Sequence, residues 1–199
     1  MNDYAASVYL REISHQCRYF IGAVYQLNFA YEGYQNQQQA GDETQQAFLQ
    51  GEVFRALHSL LNHAGHISRL LWPATDGDGA QARERGAALR ARLDLGEGEH
   101  LLDSDAFRGY GEGFDRQLDD WLAGVPDAHQ AEAAIGPLQD VASADERGVL
   151  RWYDPEGRQF VFLGREYDIR ALVASIDGLM EKADKAAGEA LEASRTEGL

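Results

Sequence analysis

One stretch constrains the rest of the chain: DETQQAFLQGEVFRALHSLLNHAGHISRLLWP, residues 42–73. Its apolar positions Phe54, Leu57, Leu60, Leu61, Ala64, Ile67 and Leu71 recur at the spacing of a helix with one face in a core. Both ends carry stop signals. Asp42 caps the first turn with Gln45 three residues on, and Pro73, which has no N–H, disfavours helical geometry at Trp72. The same segment holds the densest polar cluster of the chain: His58, Asn62 and His66 form an i, i+4 line, with His63 and Arg69 beside it.

A helix of that length needs a partner, and the preceding segment supplies one. From Tyr4 to about Tyr34, Leu10, Ile13, Cys17, Phe20, Val24, Leu27 and Tyr31 alternate at steps of three and four, a coiled-coil-like seam. The polar linker Gln35 to Gly41 is short, so the first helix lies antiparallel to the second. Tyr9, Tyr19, Tyr25, Phe29 and Tyr34 widen the apolar surface beyond what one partner helix covers. A third helix or a second subunit takes up the rest, and a homodimer is expected.

At 199 residues and 44% hydrophobic content, the chain can bury a sizeable core, read here as one domain over residues 1–199. Its one cysteine, Cys17, lies on the apolar seam and reads as a buried structural thiol. The first residues, MNDYAASVYLRE, lack the pattern of a signal peptide, and no stretch approaches the roughly 20 apolar residues of a membrane span. A soluble, cytoplasmic protein without membrane contact is expected. The formal net charge of −15 is concentrated in residues 74–147. Such a field repels phosphate backbones at long range, which disfavours nucleic acid as a partner without excluding a local basic pocket.

After the turn-forming ATDGDG (74–79), a third helix over about 80–95 carries Arg83, Arg85, Arg90 and Arg92. Two readings stand: a solvated face balanced by Glu84, Asp94 and Glu97, or an anion site. Ser104 or Asp105 opens a further helix to about Leu122, with Phe107, Tyr110, Phe114, Leu118 and Trp121 on one stripe and an irregular start at Gly109, Gly111 and Gly113. Short helices are expected near 127–135 and 137–144. VLRWYD and QFVFLG then flank Pro155-Glu156-Gly157-Arg158 as a β-hairpin over about 148–164, with Gly157 at the positive-φ position. Asp168 caps a last helix to about 193, and residues 194–199 fray. The fold expected is mainly α: an antiparallel helical bundle with one small hairpin.

Known catalytic patterns are sparse. His58, His63 and His66 invite a metal, but the facing carboxylates or thiolates of a zinc or di-metal site are missing from the pattern, so polar packing is expected and no metal or cofactor. No G-x-S-x-G elbow, phosphate-cradling glycine loop or calcium loop occurs.

The succession HISRLLWP (66–73), RGAALR (85–90), FRGYGEGFDRQLDDW (107–121) and WYDPEGRQFVFLGREYDI (152–169) resembles a bacterial branch of the HEPN superfamily of all-helical ribonucleases and nucleotide-binding proteins. Its motif is an arginine, a polar residue, three further residues and a histidine. The resemblance implies that two such motifs meet across a dimer and cleave RNA without metal. Arg108 stands at the arginine position, Gly109 at the polar one and Gly113 where the histidine belongs. Cleavage by a 2′-hydroxyl needs a group titrating near neutrality, which glycine lacks. The expectation is a catalytically silent HEPN-like dimer that binds a partner protein or a small nucleotide-like anion near Arg108 and the Arg83–Arg92 helix. His58, Asn62, His66, Arg69 and Arg85 are its further candidate ligand-binding residues. The alternatives are an RNA endonuclease in which Arg108 works with His66 or another histidine of the 42–72 helix, and an assembly module with Phe160 or Phe162 exposed on the hairpin.

Overall fold

In the computed structural model the first helix, α1, runs unbroken from Asp3 to Ala40, and α2 from Glu43 to Leu71. The structure describes residues 1–74, 79–125, 131–137 and 148–196. The expected linker 35–41 is thus mostly helix, since Gln and Ala are good helix formers. Gly41, at φ 75°, ends α1, and the N–H groups of Gly41 and Asp42 both close on the Gln37 carbonyl. Asp42 then starts α2, its Oδ1 accepting the Gln45 N–H at 3.0 Å.

The remaining helices are α3 (Ala80–Leu93), α4 (Asp105–Arg108), α5 (Phe114–Gly124) and α6 (Ile169–Thr196). The expected helix from 104 to 122 is therefore two. Ser104 does cap α4, accepting the Ala106 N–H. The chain then breaks at Gly111 and Gly113, which adopt positive φ. Asp168 caps α6 through the Ala171 N–H at 2.8 Å.

Four strands, β1 (Ala131–Ile135), β2 (Val149–Asp154), β3 (Gln159–Phe162) and β4 (Arg165–Asp168), form one sheet in that order, and β4 leads directly into α6. The hairpin is present as β2–β3 and is extended on both sides. β1, in a stretch expected to be helical, instead pairs parallel to β2, with Ala134 opposite Trp152. Its Ala and Glu favour helix locally, and tertiary pairing overrides them. The second helix expected near 137–144 lies almost wholly outside the described residues. At the β2–β3 turn the positive φ belongs to Arg158, not Gly157. A Cβ at Gly157 would lie 2.5 Å from an Asp154 carboxylate oxygen, so a larger residue there would require that side chain to turn aside. Leu163 and Gly164, both at positive φ, make the two-residue β3–β4 turn.

Contacts divide the chain into two compact units, one of residues 1–28, 56–110 and 173–199, the other of residues 29–55 and 111–172. In the first, the seam of α1 (Leu10, Ile13, Cys17, Phe20, Leu27), the stripe of α2 (Leu57, Leu60, Leu61, Ala64, Ile67, Leu71) and Ile176, Leu179 and Ala183 of α6 are fully or almost fully buried, together with Leu89, Leu93 and Leu102. Arg18 of α1 is tied to Asp184 of α6 at 2.7 Å. In the second, Phe160 lies 6.3 Å from Phe54 and Tyr153 meets Tyr31 edge-on, while Phe162 stacks on Phe114. Phe160 and Phe162 are buried, which removes the exposed surface that the assembly-module reading called for. No helix among the described residues is long and apolar enough to cross a membrane.

Candidate anion-binding site

The polar residues of α2 divide between two neighbours. Residues 58, 65 and 69 fall within about 40° of one another around a helix, whereas the i, i+4 line drifts about 40° per step and carries His66 away from them, and His63, off that line, lies farther round still. His58 Nδ1 is hydrogen-bonded to the Tyr110 hydroxyl, and Arg69 Nη1 donates to the Arg108 carbonyl at 2.7 Å. Gly65 lets α4 come this close, since a Cβ would stand 3.0 Å from the Phe107 carbonyl oxygen. Buried Ser68 donates to the Leu102 carbonyl at 2.6 Å. This face of α2 is thus the bed on which residues 102–110 rest.

His63 and His66 turn to α1 instead. Their Nδ1 atoms lie 2.7 and 3.2 Å from one oxygen, Gln16 Oε1. That oxygen only accepts, so both imidazoles carry the proton on Nδ1. Burial pushes both below the usual histidine range, helped by the His63–His66 proximity for His63 and by Arg69 for His66. Asn62 is exposed.

Around Arg108 the chain forms a cavity of about 630 Å³, walled by Trp72, Pro73, Ala74, Arg83, Ala87, Arg90, Glu97, Asp103, Asp105 and Arg108. Arg83, Ala87 and Arg90 share one face of α3, because positions seven apart differ by only about 20°. Arg85 and Arg92 point to α1: Arg85 lies over the Tyr9 ring at 5.5 Å, and Arg92 pairs with Asp3 at 2.5 Å. Close packing sets α3 in place, since a Cβ on Gly86 would fall 2.7 Å from the Leu71 carbonyl oxygen and 2.8 Å from Pro73 Cδ. Arg90 Nη1 donates to that same Leu71 carbonyl, closing the end of α2, while its Nη2 reaches Glu97 at 3.0 Å.

Arg108 is held by two carboxylates, Asp103 at 2.9 Å and Asp105 at 2.6 Å. These differ in depth. The Asp103 side chain is 18% exposed, and its other oxygen accepts the Gly98 N–H; the Asp105 side chain is 95% exposed, as Glu97 is at 84%. Asp103 is therefore built in, whereas Asp105 and Glu97 are solvated counter-ions worth about 0–1 kcal/mol each.

Of the sequence candidates, Arg108 lines this cavity, His58 and Arg69 support the segment that carries it, and His66, Asn62 and Arg85 are not among its walls. Trp72 is a wall residue that the linear sequence does not mark; Arg90 and Glu97 belong to the arginine helix and its counter-charges as read from the sequence, and the seven-residue spacing of Arg83 and Arg90 marks those two as one face. No protein-family model, no curated protein and no solved structure matches this chain.

Proposed function

We propose that the chain is a catalytically silent, HEPN-like helical protein that acts as a homodimer and binds a small nucleotide-like anion in the cavity between α3 and Arg108. The observation that carries this reading is the convergence of Arg83, Arg90 and Arg108 on one cavity of about 630 Å³, a size suited to a small molecule. A phosphate entering it displaces Asp105 and Glu97, which are solvated and cheap to release, while Asp103 keeps Arg108 oriented. Silence is supported by Gly113 at the histidine position and by the separate ties of the two catalytic candidates, Arg108 to Asp103 and Asp105, His66 to Gln16.

Isothermal titration with adenosine 5′-monophosphate tests the binding. Wild type is expected to bind with an affinity that weakens with salt, Arg83→Ala to weaken it at least tenfold, and Asp105→Asn to tighten it. Absence of binding, or equal affinity in Arg83→Ala, overturns the anion site. Purified protein is also expected to leave single-stranded RNA uncut. Cleavage that is lost in both Arg108→Ala and His66→Ala, with melting temperature unchanged, overturns silence.

A further inference from the structure

The helix α1 has a second apolar face. Opposite its buried seam, Tyr4, Val8, Tyr19, Tyr25 and Phe29 stand 62, 46, 55, 72 and 77% exposed. The positions 4, 8, 11, 15, 18, 22, 25 and 29 alternate at steps of four and three, the repeat of a helix that pairs with another helix. This outward stripe reads the same from either end. Under an antiparallel two-fold centred between positions 16 and 17, Tyr4 falls opposite Phe29 of the second copy, Val8 opposite Tyr25, and Arg11 opposite Gly22. At Gly22 an added Cβ would meet nothing within 4 Å, so there is room for the Arg11 side chain. Arg18 is already turned aside to Asp184, which removes its charge from the centre.

We infer that the outer face of α1 is a homodimer seam in which two copies of the helix pack antiparallel about this two-fold. The inference rests on the dimeric reading above and adds the surface and register. At about 200 Å² for each aromatic side chain, the three exposed rings on this stripe, Tyr4, Tyr25 and Phe29, offer about 400 Å² per copy; Tyr19 lies to one side of it, against His63. Two copies then bury about 800 Å² before Val8 and the stems of Arg11, His15 and Arg18 are counted, about two thirds of the roughly 1,200 Å² at which specific interfaces begin. The match is isologous, as a closed dimer requires.

Light scattering at micromolar concentration is expected to give twice the chain mass of 22.0 kDa, falling to the single-chain mass in Val8→Glu/Tyr25→Glu with the helical circular dichroism unchanged. The register is tested separately by mild oxidation. The double variant Val8→Cys/Tyr25→Cys is expected to form a covalent dimer. Val8→Cys alone should not, because the two copies of position 8 lie about 25 Å apart along the axis. Cys17 is buried and does not compete. Wild type at the single-chain mass overturns both the dimer and the seam. A dimer that survives the glutamate pair, or that Val8→Cys alone cross-links as well as the double variant, overturns the seam while the dimer stands.

Discussion

Gly86→Ala is expected to destabilise the protein although it replaces glycine by the best helix former in a helix interior. Propensity alone favours alanine by about 1 kcal/mol. Against it, the new methyl would sit 2.7 Å from the Leu71 carbonyl oxygen and 2.8 Å from Pro73 Cδ. Neither is the tip of a flexible side chain, so α3 itself has to move, and the cost belongs at the upper end of overpacking, about 3 kcal/mol. The shift also strains the bond from Arg90 to the Leu71 carbonyl. The net loss is about 2 kcal/mol, or about 4–8 °C in melting temperature for a chain of this size. Gly178→Ala is the control: it lies within α6 with nothing within 4 Å of the new Cβ, and is expected to gain about 0.5–1 kcal/mol. Urea unfolding of the two variants beside wild type reads both signs. A Gly86→Ala protein as stable as wild type would refute the claim that backbone contact at Leu71 sets the position of α3.

Two further outcomes follow from buried titratable groups. Burial, with Asp184 nearby, pushes the Cys17 thiol up to about 12 against a smaller opposing effect of Arg18, so a thiol-specific disulfide reagent at pH 8 is expected to label it only as the protein unfolds; rapid labelling of the native chain would contradict this. His63, His66 and His100 are all held below 6.5 chiefly by burial. The unfolded chain therefore binds more protons below pH 6.5, and stability is full above that pH and declines as pH falls towards the lowered folded-state values. The urea midpoint is expected to drop between pH 7 and pH 5, and to drop less in His63→Gln/His66→Gln; an equal slope in that variant would remove these two histidines from the effect.

Much of the helical framework was legible because burial imprints a period on α1, α2 and α6, and because Asp42, Ser104 and Asp168 mark helix starts by a local hydrogen bond. The sheet was legible only in part. β2 and β3 are rich in aromatic and β-branched residues, whereas β1 reads AEAAI and exists through pairing with a strand it cannot specify locally. The α2 polar cluster looked like one site because an i, i+4 line suggests a single face, yet its drift around the helix sends His58 to Tyr110 and His66 to Gln16. The cavity at Arg108 was half legible: the acidic neighbours and the arginine helix are close in sequence, but the turn that folds 95–103 back beneath Trp72 and Arg90 is not written as a period.

The pairing of Phe54 with Phe160 and of Tyr31 with Tyr153 also has a consequence for synthesis. The two halves of that aromatic cluster are more than a hundred residues apart in the chain. At about 5–20 residues per second, a ribosome exposes Tyr31 and Phe54 for roughly 5–20 s before the strands that cover them emerge. The nascent N-terminal helices thus pass through an interval in which this aromatic surface is still uncovered.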